Sequence, residues 1–494
     1  MTFLIGRLLD TAAAAVPDQI AATLGEETLT YRQADAKAAQ LAGVLRKLGI
    51  GRGDRVLLWS DLSLRAYDAF FGCARNGAAF VSANPGATDD EIAAILRYIA
   101  PALLIVDLAH AARASALAAA AGVRLALNEP DTAGTTAPDA LDLEAAMQAF
   151  PARYDGPAPS ESDTHVIFLT SGSTGVPKGV EIPHRAGYLR ALTYPLTEPT
   201  TGGGGDVCMF PLFHMAGWTQ VTGTMAHLRP VHLAARADAR TLLGAIERWK
   251  ARRLYCIPPV WERVLDCTEA FDISSLRETM TGTMRVDPAL MQRVHDRFPG
   301  TIHRIVYGST EAGIVLTLGD DALADHPDHA GLPALGVEVR IEDGELQTRS
   351  DFMMSGYFNL PEETAATLRD GWYCTGDLAE RDADGYYRIV GRRREVIRTG
   401  GETVAPAEVE AAVCHYPGVC AAAVFGVPSS SWGEIVCAAL TMAPGHELPS
   451  PQDMRAFLDA RLVSFKHPRA IVAIDEIPRT AATGQIQRAR VRDI

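Results

Sequence analysis

HVIFLTSGSTGVPKG, residues 165–179, is an apolar run that passes directly into a loop of glycines, hydroxyls and one lysine. HVIFLT (165–170) has the β-branched and aromatic content of a buried strand. Gly172, Gly175 and Gly179 let the backbone turn tightly and approach a ligand. Thr170, Ser171, Ser173 and Thr174 add four hydroxyls, and Lys178 adds a cation, all within nine residues. Backbone amides in such a loop form a concavity that holds an anion. The spacing is not that of a GxxxxGK[ST] P-loop, because Lys178 follows Pro177. A Ser/Gly-rich surface turn is the plain alternative, and the strand leading in argues against it.

Upstream, DRVLLWS (54–60), AAFVSANP (78–85), LLIVD (103–107) and VRLAL (123–127) read as strands. LRAYDAFFGCARNG (64–77) and the Ala-rich stretch between the last two strands read as helices. Strand alternating with helix predicts an α/β fold with parallel pairing. Downstream, the texture changes near residue 337. VEVRIEDGELQTRS and RDADGYYRIVG contain hairpins at Asp343-Gly344 and Asp384-Gly385. RRREV follows as a basic linker. APAEVEAAVCHY and PQDMRAFLDARL then read as helices, and CAAAVFGVP and EIVCAALTM as strands. The expected organisation is a large N-terminal domain of layered α/β subdomains, residues 1–391, and a small mobile α+β C-terminal lobe, residues 392–494.

The bulk properties bound the function. A net charge of −14 argues against nucleic acid or an anionic membrane as the main partner. The eight cysteines form no CxxC pair, so buried reduced thiols are expected rather than a disulfide framework or zinc site. MTFLIGRLLDTAAAAVPDQ lacks a positive leader, and Asp107, His110 and Arg113 break the apolar stretch 101–127. A soluble cytoplasmic protein is expected.

SGSTGVPKG resembles the phosphate loop of the adenylate-forming superfamily, which includes acyl-CoA synthetases, luciferases and peptide-synthetase adenylation domains. YGSTEAG (307–313) is similar to its second ATP motif, GWYCTGD (371–377) to its ribose motif, and GRRREVIRTGGETVAPAEVE (391–410) to its hinge and the segment beyond. The resemblance spans nearly the whole chain. It implies nucleotide contacts from Thr170, Ser171, Gly172, Ser173, Thr174, Lys178, Tyr307, Gly308, Thr310, Asp377, Arg392 and Arg398. Thr310 can hydrogen-bond a phosphate oxygen, and Asp377 can accept both ribose hydroxyls. Glu311 would hold Mg²⁺, a hard cation preferring oxygen, if ATP is used. PLFHMAG (211–217) resembles the segment that sets His214 beside the reacting carboxylate and the thiol tunnel. Trp218, Thr219, Thr281, Gly282, Thr283 and Met284 would wall the acyl site, suited to a hydrophobic organic acid. TMTGTMR (279–285) departs here from the family's smaller SGGAP-like residues.

The family joins a carboxylate to the α-phosphate of ATP, giving acyl-AMP, and a thiol then attacks the acyl-adenylate after the lobe rotates. Arg394 falls at the hinge, and Gly401 in TGGET (399–403) resembles the pantetheine tunnel wall. For the first step the lobe offers a lysine in a PRTxxGK turn. This chain reads IPRTAATGQ, one residue longer, with Gln485 at the lysine position. An amide donates a hydrogen bond but neutralises no anion, at a cost of about 3–4 kcal/mol of transition-state stabilisation. Lys466 looks structural, and Arg479 and Arg488 are the candidates to replace the charge. The resemblance is therefore to the rare non-adenylating acyl-CoA ligases, of which a diterpenoid ligase of platensimycin-type antibiotic biosynthesis is the example. CoA would be the acceptor, AMP or acyl-adenylate the bound nucleotide, and a separate adenylating enzyme the source of acyl-AMP. An ordinary ATP-dependent synthetase and a non-catalytic adenylate-binding protein are the alternatives, and a carrier-protein acceptor stays open.

Overall fold

The structure, a computed structural model, describes residues 2–130, 137, 139–170, 178–194, 204–429, 431–480 and 484–494. The strand predicted ahead of the glycine loop is Thr164–Thr170, whose middle is buried. It lies inside a mixed sheet ordered Gly356–Tyr357, Lys178–Pro183, Thr164–Thr170, Ala79–Ser82, Arg55–Trp59, Leu103–Val106, Arg124–Leu127, Leu141–Asp142. From Thr164–Thr170 onward the pairs are parallel, as the strand–helix alternation predicts. Lys178–Pro183 returns antiparallel, and its register sets Lys178 opposite Thr170 across the loop. The two ends of the proposed phosphate loop are thus fixed by sheet hydrogen bonds, which a surface turn does not require. Ser171, Gly172, Ser173 and Thr174 lie outside the described residues.

A second sheet runs from Leu332–Pro333 through Gly313–Leu318, Ile302–Ser309, Glu278–Gly282, Arg253–Tyr255, Asp206–Cys208, Val231–Leu233 and Ile20–Leu24 to Glu27–Thr30. Helices Ala66–Asn76 and Met215–Ala226 pack in the core shared with the first sheet. The contact is aromatic. Phe70 stacks on Trp218 with centroids 3.8 Å apart and planes 8° apart. Face-to-face burial of two large rings is a strong apolar contribution, about 0.5–1.5 kcal/mol beyond the area itself.

The hairpin predicted at Asp343-Gly344 joins Glu338–Glu342 to Glu345–Arg349. Both turn residues have positive φ, as a two-residue primed turn demands. The second hairpin joins Trp372–Arg381 to Tyr387–Arg392, with Gly385 within a longer connection. The basic cluster read as a linker is only partly one, because Arg392 still belongs to that strand. Beyond it a separate sheet is built from Glu402–Val404, Ile397–Thr399, Gly433–Met442, Val419–Ser429 and Ala470–Ala473. This sheet has its own core, including Val409, Val424, Leu440 and Leu458. All eight cysteines are free. Cys73, Cys208, Cys256 and Cys437 are buried, Cys267 and Cys374 are half-buried, and Cys414 and Cys420 are exposed, so burial is less general than expected. Among the described residues no helix is long and apolar enough to cross a membrane.

Candidate active site

Asp377 and Arg392 are direct cross-strand partners on Trp372–Arg381 and Tyr387–Arg392. Arg392 Nε lies 3.0 Å from Asp377 Oδ1. The Tyr307 hydroxyl, from the end of Ile302–Ser309, donates to Asp377 Oδ2 at 2.5 Å. Asp377 is 6% exposed, and burial raises its pKa against the opposing pull of Arg392 and Tyr307. The result is a buried, doubly held carboxylate, able to exchange its donors for the two hydroxyls of a vicinal diol. Burial and the Asp377 charge together push the Tyr307 phenol up, so it stays a donor.

Ile302–Ser309 and Gly313–Leu318 form a tight antiparallel pair around Thr310 and Glu311. A Cβ at Gly308 would fall 2.1 Å from the Gly313 carbonyl oxygen, so this position admits only glycine. Arg190, 7% exposed, donates to the carbonyls of Phe352 at 2.8 Å, Thr310 at 3.1 Å and Glu311 at 3.0 Å. Burial lowers its pKa to about 10, with Glu311 opposing. A buried guanidinium must find partners, and this one finds them in the backbone of the proposed phosphate turn. The sequence reading missed Arg190. Its signal is a charged residue sharing the buried side of helix His184–Leu192 with His184, Ala186, Gly187 and Ala191.

Tyr357 and Glu363 were also missed. The Tyr357 hydroxyl donates to Glu311 Oε1 at 2.9 Å. Lys178 is ion-paired with Glu363, and its Nζ lies 5.1 Å from the Tyr357 ring centre. Lys178 holds the Glu363 carboxyl below the usual range. Glu363 is partly exposed, so a phosphate could displace it from Lys178 at small cost. Lys178, Glu311 and Tyr357 thus meet in one polar patch. Glu311, with one carboxylate oxygen taken by Tyr357, fits a hard divalent cation by the chemistry of its donor.

His214 caps helix Met215–Ala226, accepting the Ala216 amide on Nδ1 at 3.2 Å. Burial lowers its pKa to about 4. The ring is therefore neutral near pH 7, and its proton sits on Nε2, which becomes a donor. Trp218 is 2% exposed and stacked on Phe70, a core side chain, with its indole N–H unpaired among the described residues. Thr219 is half-buried and donates to the Met215 sulfur at 2.9 Å. Thr281 and Gly282 are buried at the end of Glu278–Gly282, while Thr283, at φ 67°, and Met284 are half-buried beyond it. The Thr281 and Thr283 hydroxyls have no protein hydrogen-bond partner among the described residues.

The turn holding Gln485 is closed by its own hydrogen bonds. Thr480 N donates to the Gln485 carbonyl at 2.8 Å, and Gln485 N donates to Thr480 Oγ1 at 3.0 Å. Residues 481–483 lie outside the described residues. From this turn Gln485 Nε2 reaches the large domain and donates to the Thr283 carbonyl at 3.2 Å. Two neighbouring cations are ion-paired within the lobe, and the third, Arg479, stays in this turn. Arg479 donates to the Gly484 carbonyl at 2.9 Å, Lys466 pairs with Glu408 at 2.6 Å, and Arg488 pairs with Glu395 and Glu410. Arg394 and Arg398 are exposed, with the Arg398 amide on Glu434 at 2.8 Å. Gly401 is exposed at the tip joining Ile397–Thr399 to Glu402–Val404, with open space where a side chain would project. The structure therefore brings Gln485 to Thr283, in the segment expected to wall the acyl site, and leaves Gly401 in solvent.

A profile of the AMP-binding enzyme family matches residues 9–358, and that of the AMP-binding enzyme C-terminal domain matches residues 408–483. The chain belongs to this AMP-binding, adenylate-forming enzyme family. It is similar to a feruloyl-CoA synthase of an Amycolatopsis species, 31% identical over 96% of each chain. It is also similar to the fatty acid–[acyl-carrier-protein] ligase ScoC of Streptomyces coeruleorubidus, 32% identical over 94% of this chain and 91% of that one. Among solved structures, the amide bond synthetase McbA from Marinactinospora thermotolerans superposes with a TM-score of 0.87, at 26% identity over 99% of both chains.

Proposed function

We propose that this enzyme forms a CoA thioester from the acyl-adenylate of a hydrophobic organic acid, and that Gln485 impairs the ATP-dependent step that would make the adenylate. The observation that carries this is the neutral Gln485 amide docked on the Thr283 carbonyl while Lys466 and Arg488 are ion-paired within the lobe and Arg479 is held on the Gly484 carbonyl. Adenylation brings a carboxylate and a triphosphate together, forming a C–O–P bond as pyrophosphate leaves. That encounter needs a cation between the two anions. Thioester formation has no such need. The thiol sulfur, having given up its proton, attacks the acyl carbonyl carbon, and AMP leaves with the bonding electrons.

In this reading Asp377, Tyr307 and Arg392 hold the ribose, Lys178 and Thr310 hold the phosphate, and the Nε2–H of neutral His214 serves the acyl carbonyl side. Mg²⁺, where ATP is bound, would be held by Glu311 and would neutralise phosphate charge. Gly401 would line the thiol path once the lobe turns. A separate adenylating enzyme supplies acyl-AMP, which is too reactive to accumulate free. A diterpenoid acid, the substrate type of the example ligase the chain resembles, belongs in the panel of acids tried. The second reading, an ordinary synthetase running both half-reactions, is favoured by the Lys178, Glu311 and Asp377 constellation. A carrier protein as acceptor is supported by the likeness to ScoC. Pyrophosphate release from a panel of acids with ATP, beside thioester formation from the matching acyl-AMP and CoA, separates these readings.

A further inference from the structure

Apart from that site, three groupings of histidine and carboxylate among the described residues are close enough to share a cation. Two have a histidine whose ring nitrogens are both engaged. His110 Nδ1 lies 2.6 Å from Asp107 and Nε2 3.0 Å from the Pro85 carbonyl, which fastens the start of helix Leu108–Ala121. His303 Nδ1 lies 2.5 Å from Thr279 Oγ1, with Nε2 near Thr301 Oγ1.

The third grouping is different. His326 Nδ1 and His329 Nε2 lie 3.0 and 3.2 Å from the same oxygen, Asp382 Oδ2. The histidines come from the segment after the short 3₁₀ turn Asp320–Ala322, and Asp382 from the connection between Trp372–Arg381 and Tyr387–Arg392. These segments are stitched by backbone bonds, Ala330 N to the Tyr387 carbonyl at 2.8 Å and Tyr387 N to the Gly331 carbonyl at 2.9 Å. Asp382 Oδ1 accepts the amides of Asp384 at 3.0 Å and Tyr386 at 2.8 Å, which aims Oδ2 at the two rings. The His326 ring stacks on Tyr386 at 3.8 Å. His329 Nδ1 lies 3.1 Å from Asp328 Oδ1, and Arg388 holds the other Asp328 oxygen at 3.1 Å.

We propose that His326, His329 and Asp382 bind one divalent transition-metal ion of the zinc type. Metal–ligand bonds of about 2.0–2.1 Å at tetrahedral angles set donor atoms about 3.4 Å apart, so the two nitrogen–oxygen separations need only a small opening, and all three donor atoms lie within 4.8 Å of one another. Two imidazoles with one carboxylate suit zinc over magnesium or calcium, which take oxygen. The His326 ring is oriented by stacking on Tyr386, and the Asp328 carboxylate lies near the outer nitrogen of His329 without hydrogen-bonding it. Three protein ligands leave the fourth position to water. The ion would clasp the 320–331 segment to the hairpin whose strands carry Asp377 and Arg392. This inference does not depend on which half-reaction the enzyme performs.

The test is titration of the full-length protein, stripped with a chelator and dialysed, with Zn²⁺, Co²⁺ and, as control, Mg²⁺. Calorimetry should give one bound Zn²⁺ and no Mg²⁺ at this site, and Co²⁺ should show the visible absorption of a four-coordinate ion. Zn²⁺ should also raise the melting temperature. Asp382→Asn and His326→Gln/His329→Gln should each weaken Zn²⁺ binding by about 100-fold or more. A Cys414→Ser/Cys420→Ser variant should bind as the wild type does. Circular dichroism checks folding, and Asp382→Asn alone carries the comparison if the double histidine variant does not fold. Absence of stoichiometric Zn²⁺ binding by the wild type would overturn the proposal, as would equal affinity in a folded ligand variant. Loss of binding in the cysteine variant would also overturn it.

Discussion

Gln485 of the C-terminal lobe donates its side-chain amide to the backbone carbonyl of Thr283, 3.2 Å away and 202 residues distant in sequence. The contact joins the lobe to the segment proposed as the acyl wall, and Gln485 stands where the resemblance calls for a lysine. Gln485→Lys should raise pyrophosphate release from acid and ATP by about 10²-fold or less, the range set by one charge-stabilising donor. The longer turn limits the gain. Acyl-AMP consumption by CoA should change little. A variant that leaves pyrophosphate release unaltered would show that charge at 485 is not what limits adenylation.

Asp377 holds Tyr307 and Arg392 together. Asp377→Ala should weaken AMP binding by at least about 1–3 kcal/mol, the cost of leaving buried polar groups unmatched. Calorimetric affinity equal to the wild type would remove Asp377 from the nucleotide site.

Gly401 has φ 89° and an open direction for a side chain. Gly401→Leu should therefore fold with a strain of about 1–3 kcal/mol. If the exposed tip turns inward for the second half-reaction, the variant should lose thioester formation while AMP affinity stays near normal. Wild-type rates of acyl-CoA production would place the thiol path elsewhere.

Acid should destabilise the fold through buried histidines. The rings of His165 and His184 lie 5.4 Å apart, and burial holds His165 well below its usual pKa and His184 at about 4. Both are neutral in the fold, whereas the unfolded chain takes up their protons below about pH 6.5. Their contribution is complete above that pH and is lost as pH falls toward 4. His165→Leu should flatten the pH dependence of unfolding free energy by about 1.4 kcal/mol per pH unit across this window. Asp206 and Asp377, whose pKa values are raised by burial, act in the opposite sense and cancel in the comparison. Urea unfolding at stepped pH measures the slope, and an unchanged slope would mean His165 already protonates in the folded state.

Much of this architecture is written locally. The apolar run at 165–170, the paired Asp343-Gly344 and the alternation upstream each follow from spacing and turn chemistry, and the corresponding elements are present. What escaped the sequence depends on distant partners. Arg190 is informative only once the 310–311 carbonyls lie over it. Tyr357 gains meaning from Glu311, and Glu363 from Lys178, 185 residues away. Trp218 stands beside a motif read as catalytic, yet Phe70 claims its ring for the core. The same limit hid the commitment of Arg488 to Glu395 and Glu410, which takes it out of contention as a replacement charge.

The most direct measurement is a paired assay on the purified wild-type enzyme with one cognate acid. One arm supplies acid, ATP, Mg²⁺ and CoA, and the other supplies the preformed acyl-AMP and CoA. The account predicts acyl-CoA at an ordinary enzymatic rate from acyl-AMP, with a rate lower by about 10²–10³ from acid and ATP. Equal rates in the two arms, with labelled pyrophosphate exchanging freely into ATP, would contradict it and make this an ordinary ATP-dependent ligase.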